Sequence, residues 1–172
     1  YTHFQGFREI LLTDITYLIY NNGKRAYLST IKDAKTNEIL AYALSESLEM
    51  SIVEESIKIL IRKHGLTLTS KTIMHSDQGA HYTSIRFKEL LKENNWLQSM
   101  SRRGNCWDNA PQESFYGHMK DEIDLTKCKN FEDVKLIIDD YMDYYNTERY
   151  QWNLAKLSPS EYYKYFITGI YP

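Results

Sequence analysis

Hydrophobic positions in the first part of the chain form dense runs separated by short polar turns. Residues 9–19 are rich in Ile, Leu, Thr and Tyr on both alternating faces, which predicts a strand buried on both sides. Residues 21–24, Asn-Asn-Gly-Lys, predict a tight turn, so residues 25–32 are expected to return as the second strand of a hairpin. A third strand is expected over residues 38–44.

The hydrophobic period changes to that of a helix after residue 50. Residues 51–64 carry Ile, Val and Leu on one helical face, which predicts an amphipathic helix. Two more strands are predicted over 72–75 and 96–100, with a helix over 84–93 between them. Strands and helices therefore alternate in the middle of the chain.

The last third of the chain is predicted to be helical. One helix is expected from Pro111 to about residue 123, a long amphipathic one over 131–145, and a short one from the capping box of Ser158 and Glu161. This order predicts an α/β fold with a mixed five-stranded sheet, in which two parallel strands follow three antiparallel ones, flanked by helices. We expect residues 1–172 to form one domain, with helices over about 131–168 packed on or beside the sheet.

Composition narrows the class of protein without identifying it. The chain has 172 residues, 42% of them hydrophobic and 26% charged, which is usual for a globular domain. The sequence contains no run of about 18 uncharged apolar residues and therefore predicts no membrane-spanning helix. Lys and Arg number 21 against 23 Asp and Glu, so the net charge of −2 shows no basic footprint for nucleic acid. Two cysteines without a C-x-x-C pair indicate a reducing, cytoplasmic setting, and a start without Met or signal pattern suggests a fragment.

Three carboxylates stand in positions that suggest chemistry. Asp14 interrupts the apolar strand, Asp77 follows the predicted strand over 72–75, and Glu113 lies in the first turn of a helix. Each has an ordinary explanation: a partly solvated strand face, a turn residue, and a favourable interaction with the helix dipole. Together, three convergent carboxylates would hold one or two Mg²⁺ ions for phosphoryl transfer.

Several blocks of the sequence, in order, resemble one known family. The interval from Asp77 to Glu113 leaves 113 − 77 − 1 = 35 residues, which is the interval of that family. The chain is similar over about residues 8–163 to the catalytic core of bacterial insertion-sequence transposases of the OrfB type, which belong to the DDE superfamily and share the retroviral integrase core. The matching blocks are Thr13–Tyr17, His75–Gly79, Ser99–Cys106, Asp108–Ala110, Glu113–Phe115, Lys120–Glu122 and Tyr145-Asn146 with Arg149.

The resemblance implies a ribonuclease H-like fold and a function in DNA transposition. It implies that Asp14, Asp77 and Glu113 bind two Mg²⁺ or Mn²⁺ ions, cleave a phosphodiester at the transposon ends and transfer the 3′-hydroxyl into target DNA. Lys120 is then expected to face the DNA near the cleaved phosphate. The partners implied are transposon-end and target DNA, a homo-multimer during the reaction, and a nucleoid-associated location. Family members also carry a helix-turn-helix region ahead of the core, so this fragment is expected to bind DNA weakly and in a salt-sensitive way.

Further DNA-contact residues follow less directly from the pattern. Arg102 and Arg103 lie in a predicted loop beside Trp107, which suits phosphate contact and base stacking, or else a solvated loop. Asn109 would orient the carboxylates or only start the helix. Arg149 is expected to tie the last helices to the core rather than to contact DNA.

Two other functions remain open from the sequence. The same fold could serve as a nuclease without strand transfer, or as a non-catalytic DNA-binding module. Three retained carboxylates favour an enzyme over the binding module, because buried acidic groups are costly without a cation or donors.

Overall fold

The computed structural model of the chain describes residues 6–102 and 110–172. The predictions made for Arg103 and Asn109 concern residues outside these ranges. Within them the elements follow the predicted order closely. The strands are β1 Ile10–Tyr20, β2 Lys24–Asp33, β3 Ile39–Ser45, β4 Ile73–Ser76 and β5 Leu97–Met100. The helices are α1 Met50–His64, α2 Ala80–Thr83, α3 Ile85–Glu93, α4 Ala110–Glu122, α5 Phe131–Thr147 and α6 Pro159–Thr168.

The five strands form one mixed sheet in the order β3-β2-β1-β4-β5. β1 pairs antiparallel with β2, and β2 with β3, whereas β4 runs parallel to both β1 and β5. The turn between β1 and β2 uses positive φ at Asn21, Asn22 and Gly23, with Gly23 at 95°, as a tight hairpin turn requires. The predicted α/β fold, with three antiparallel strands followed by two parallel ones, is therefore confirmed.

Each face of the sheet supports its own apolar cluster. Side chains of α1, α2 and α3, including Val53, Leu60 and Phe87, pack on one face. Helices α4 and α5 cover the other face, where Met119 and Ile138 are fully buried. Helix α5 contributes Val134 and Ile138 to this cluster.

Two features of the elements differ from the sequence prediction. β1 was expected to be buried on both faces, but Tyr17 and Ile19 are 48% and 56% exposed. The alternating residues Leu18 and Tyr20 are buried in the cluster with α4 and α5, so the second half of β1 is covered on one face only. The four-residue helix α2 also escaped prediction, because one turn is too short to show a hydrophobic period.

Side-chain contacts fasten the C-terminal helices to this sheet. The amide of Asn146, at the end of α5, accepts from the backbone N–H of Ile39 and donates to its carbonyl, both at 2.9 Å. It therefore pairs with the start of β3 as a strand would. Arg149 forms a salt bridge of 2.7 Å with Glu122 at the end of α4, which is the tie to the core that we predicted. Within the described ranges, no helix is both long and apolar enough to cross a bilayer.

Candidate active site

Asp14 and Asp77 lie at corresponding positions on neighbouring parallel strands. Leu12 of β1 pairs with His75 of β4, and each aspartate lies two residues further along its strand or just beyond it. Both carboxylates lie close enough to the buried hydroxyl of Tyr82 to affect it electrostatically. The pKa of Tyr82 is raised mainly by burial, and the negative charges of Asp14 and Asp77 raise it further. The structure therefore brings two of the three predicted carboxylates together at one edge of the sheet.

Asp14 is partly exposed, which explains how a carboxylate is tolerated inside an apolar strand. Its Oδ1 accepts a hydrogen bond of 2.8 Å from the backbone N–H of Ile15. Solvent and this donor offset part of the cost of placing the charge beside buried neighbours. The partly solvated strand face that we considered is thus correct for the local environment, and it leaves the carboxylate accessible to a ligand.

Asp77 is held by the turn that follows β4. Its Oδ1 accepts from the backbone N–H of Gly79 at 2.8 Å. A methyl group at Gly79 would lie 2.9 Å from that same oxygen, closer than ordinary packing allows, so the approach requires glycine. The amide of Gln78 donates to the carbonyl of Ser101 at 3.0 Å and ties this turn to the segment after β5.

Helix α4 runs alongside β1 in a matched register. One helical turn of four residues advances about 6 Å, close to the roughly 6.6 Å of two strand residues. Polar side chains four residues apart on α4 can therefore meet every second residue of β1. The contacts are Gln112 Nε2 to the Leu12 carbonyl at 2.9 Å, Tyr116 Oη to the Asp14 carbonyl at 2.7 Å, and Lys120 Nζ to Thr16 Oγ1 at 2.8 Å.

The direction of the hydrogen bonds around Tyr116 follows from which groups can donate and which can only accept. The carbonyl of Asp14 can only accept a hydrogen bond, so the Tyr116 hydroxyl donates its single proton to it. Thr30, which lies 2.6 Å from the Tyr116 hydroxyl, must then donate to it, and Thr30 Oγ1 in turn accepts from Gln112 Nε2 at 3.3 Å. A directed chain of hydrogen bonds thus runs from Gln112 through Thr30 and Tyr116 to the backbone of Asp14. The pKa of Tyr116 is raised by burial and then by the charge of Asp14, so this hydroxyl keeps its proton.

Glu113 lies on the same turn of α4 as this chain but points elsewhere. Its side chain is exposed, while its neighbour Gln112 is fully buried. Among residues 6–102 and 110–172, no three Asp, Glu, His or Cys side chains come close enough to hold a metal ion. The structure therefore assembles Asp14 and Asp77 and carries Glu113 on a helix fastened beside them. It does not bring Asp14, Asp77 and Glu113 close enough together to bind one metal ion.

Lys32 is a buried cation at the start of α4 that sequence reasoning missed. It is 4% exposed and donates to the carbonyl of Pro111 at 2.9 Å, with its ammonium 5.9 Å from the ring centre of Phe115. Burial lowers the pKa of Lys32 to about 8. It lines a cavity of about 880 Å³ between α4 and the residues that follow α5. The available signal was a lysine directly after the uncharged run over residues 26–31 of a predicted strand.

The buried polar residues Gln112 and Tyr116 were also missed. Together with Phe115 and Met119 they form the buried stripe of α4, at spacings of three and four residues. A glutamine on that stripe is the signal that could have been used, because a buried amide needs partners. Oε1 of Gln112 is buried without a hydrogen-bond partner among the described residues.

Two further residues from the matching sequence blocks, Arg102 and His75, lie in different surroundings. Arg102 is exposed beside the segment that the structure does not describe, and the structure assigns it no DNA-contact role. His75 is buried, with ring nitrogens 2.9 Å from Ser99 Oγ and 3.2 Å from Ser101 Oγ, which joins β4 to β5. His75 therefore serves the packing of these two strands.

The sheet order and the acidic positions at its edge define a ribonuclease H-like core of the integrase type. Residues 8–106 and 95–159 match two sequence models of the integrase core domain family. The chain belongs to this family, and its similarity to curated proteins places it among the insertion-sequence transposases of the OrfB type.

Relatives in several bacteria support this assignment. A putative transposase InsK for insertion sequence element IS150 of Escherichia coli is 39% identical over 90% of this chain and 54% of its own length. An uncharacterized transposase-like protein of Haemophilus influenzae is 43% identical over 87% of this chain and 68% of its own length. The chain thus spans about half of the first of these relatives and about two thirds of the second.

Solved structures share the fold at low sequence identity. The catalytic core domain of HTLV-2 integrase, in complex with magnesium, covers 90% of this chain and 94% of its own, with a TM-score of 0.66 and 14% identity. The core domain of BIV integrase covers 94% and 98%, with a TM-score of 0.66 and 15% identity. The catalytic domain of Mos1 mariner transposase covers 79% and 70%, with a TM-score of 0.62 and 17% identity.

Proposed function

We propose that this chain is the catalytic core of a transposase that cleaves a phosphodiester at each end of its element and joins the freed 3′-hydroxyl to target DNA. The observation that carries the proposal is that Asp14 within β1 and Asp77 just after β4 each lie two residues beyond the paired Leu12 and His75 of these adjacent parallel strands, in a chain of the integrase core family. Glu113, on the helix fastened to β1, is the proposed third carboxylate.

The donor set fits a hard divalent cation. Carboxylate oxygens are the ligands that Mg²⁺ prefers, and Asp14 and Asp77 are both partly open to solvent. We propose that these two residues and Glu113 hold two Mg²⁺ or Mn²⁺ ions together with the DNA. Bound there, the ions would lower the pKa of water and neutralise charge on the reacting phosphate. The magnesium named for HTLV-2 integrase belongs to a protein of the same fold and supports this choice.

The reaction requires no nucleophile from the protein. In the first step a water oxygen attacks phosphorus, the bond from phosphorus to the 3′ oxygen breaks, and that oxygen takes up a proton. In the second step the oxygen of the new 3′-hydroxyl loses its proton and bonds to a phosphorus of the target strand. The bond from that phosphorus to its own 3′ oxygen breaks, and the leaving oxygen takes up a proton. The work of the chain is to position the groups and stabilise charge. Gln112 and Tyr116 hold Glu113 beside β1, and Lys120 offers an ammonium to DNA phosphate.

DNA is the proposed partner, and two copies or more of the chain would bring two ends together. The net charge of −2 predicts weak binding that weakens further with salt, because 23 acidic side chains, which phosphates repel, offset the 21 cationic ones. The matched relatives extend beyond the matching region. We propose that recognition of the end sequence resides outside residues 1–172, and that the protein acts at the nucleoid, where its substrate lies.

The test is a cleavage and joining assay. The chain is incubated with Mg²⁺ or Mn²⁺, labelled duplexes carrying the terminal sequences that flank its own reading frame, and a plasmid target. We expect nicked ends and labelled plasmid, both abolished by a chelator. Nicks without joined plasmid would establish the nuclease alternative, and no chemistry from any longer form of the protein would establish the binding module.

Matched variants locate the chemistry. Glu113→Gln, Asp14→Asn and Asp77→Asn should each abolish both steps and leave the folded content unchanged. Glu132→Gln is the control, because Glu132 is an exposed acid in the first turn of α5, as Glu113 is in α4. Cleavage that survives Glu113→Gln would remove Glu113 from the site.

A further inference from the structure

The second half of β1 presents an aromatic ring at a free sheet edge. β4 pairs with β1 only as far as Leu12, so the strand from residue 13 onward has no neighbour on that side within the described ranges. Tyr17 lies on this stretch and is 48% exposed.

Two cations from different elements lie against this ring. The guanidinium of Arg25 is 5.0 Å from the ring centre of Tyr17, and the ammonium of Lys120 is 5.1 Å from it. Lys120 reaches this position through its hydrogen bond to Thr16. Neither cation forms a salt bridge with an acidic residue of the described chain. In a protein of net charge −2, Tyr17, Arg25 and Lys120 form a local basic and aromatic surface, here called the Tyr17 platform.

The platform is continuous with the candidate active site. Tyr17 follows Asp14 by three strand residues, about 10 Å at roughly 3.3 Å per residue, so its side chain starts on the opposite face of β1. The ring meets the side of Asp14 at the strand edge, where Lys120 of α4 contacts it. Nucleotides of a DNA strand advance about 3.4 Å each along the duplex axis, so the platform lies about three nucleotides from a phosphate held at Asp14.

We propose that the Tyr17 platform binds the DNA strand about three nucleotides from the reacting phosphate, with an unpaired base stacked on Tyr17 and phosphates contacted by Arg25 and Lys120. The proposal rests on the proposed function and adds to it a binding site for single-stranded DNA beside the carboxylates. Every base offers a face for stacking on an aromatic ring, so this contact is independent of sequence. The cations add charge attraction that falls as salt rises.

The first test measures binding to two DNA probes. The probes are a fluorescent blunt duplex and the same duplex with a short unpaired 3′ extension, titrated with the chain in Ca²⁺ and followed by anisotropy. Tyr17→Ala should weaken binding of the extended probe about 10-fold and that of the blunt probe less than about 2-fold. Tyr17→Phe, which keeps the ring, should restore wild-type binding. Arg25→Gln should reduce the slope of log affinity against log salt by about 0.7 to 0.9.

Control variants separate the platform from general surface effects. Tyr150→Ala removes another exposed tyrosine, and Lys88→Gln removes an exposed cation on α3. Both should bind the two probes as the wild-type chain does. The proposal is overturned if Tyr17→Ala binds the extended probe as tightly as wild type does while its thermal unfolding is unchanged. It is also overturned if the control variants lose as much affinity as the platform variants.

The second test locates the contact directly. A 5-iododeoxyuridine placed at the third unpaired nucleotide is irradiated in the complex, and the crosslinked peptide is identified by mass spectrometry. A crosslink to Tyr17 supports the platform, and a crosslink only to other residues contradicts it. The two proposals fail separately. Cleavage with binding unaffected by Tyr17→Ala removes the platform alone, and a Tyr17 crosslink without metal-dependent cleavage removes the proposed function alone.

Discussion

Removing the hydroxyl of Tyr116 is the sharpest test of how α4 is fastened to β1. The Tyr116→Phe substitution keeps the ring, which is 6% exposed, and deletes one oxygen. That oxygen lies 2.6 Å from Thr30 Oγ1 and 2.7 Å from the carbonyl of Asp14. Both partners lose a hydrogen bond at a site that little water reaches.

The cost can be worked from these two bonds. A buried hydrogen bond contributes about 1 kcal/mol net, and groups left unpaired raise the cost, so Tyr116→Phe should lower the free energy of unfolding by about 2 kcal/mol. For a chain of this size each kcal/mol shifts the midpoint of thermal unfolding by about 2 to 4 °C, which gives a loss of about 4 to 8 °C. Glu113 on the loosened helix should then require more Mg²⁺ for half-maximal cleavage.

Tyr141→Phe is the matched control. Tyr141 is also 6% exposed and lies in the same apolar cluster, but its hydroxyl donates to Glu122 at 3.2 Å, far along α4 from Glu113. Glu122 keeps its salt bridge to Arg149 in this variant. We expect a loss of about 1 kcal/mol and an unchanged Mg²⁺ requirement. The reasoning is refuted if Tyr116→Phe matches the wild type in stability, or if both variants shift the Mg²⁺ requirement equally.

Three further predictions follow from buried or crowded positions. Gly79→Ala should reduce cleavage with little loss of stability, because the added methyl would lie 2.9 Å from Asp77 Oδ1 and displace that carboxylate; activity equal to wild type would contradict this. Arg8→Ala should cost about 3 to 5 kcal/mol in urea unfolding, because it leaves the fully buried Asp33 carboxylate without its 3.0 Å ion pair. The pKa of Lys32 is about 8 in the folded chain and 10.5 when the side chain is solvated. Between pH 8 and 10.5 the unfolded chain therefore binds more protons than the folded one. The free energy of unfolding should rise with pH across this window, by up to about 3 kcal/mol. Lys32→Met should remove this rise, which urea unfolding at several pH values would measure.

The sequence predicted the order of elements because each has a clear period or cap. The capping box of Ser158 and Glu161 starts α6 as predicted. An equivalent box of Asn130 and Asp133 starts α5 at Phe131, the residue at which the hydrophobic period predicted it. The exposure of Tyr17 was not predictable in the same way, because it depends on which face of β1 the helices cover and not on the sequence of β1 itself.

The sequence predicted the candidate carboxylates, but it did not predict the hydrogen-bonding residues that position them. Asp14 and Asp77 are conspicuous because acidic residues interrupt or follow apolar runs. The hydrogen-bond chain through Thr30 joins residues 82 and 86 positions apart, and no local pattern reports such contacts. Lys32 similarly acquires its role only when Pro111 folds over it.

The register of α4 on β1 has a consequence for how Glu113 can move. Because contacts repeat about every 6 Å along both elements, sliding the helix by a fraction of a turn breaks all three polar contacts, and a full turn is needed to form new ones. Gln112 has a second constraint, since its amide is fully buried and cannot turn to water. Glu113 is therefore held in one discrete position relative to Asp14 and adjusts toward the ions mainly by rotation of its own exposed side chain. Weakening Gln112 or Tyr116 should lower the fraction of molecules in this register, and hence raise the Mg²⁺ concentration needed for half-maximal cleavage, rather than shift Glu113 gradually.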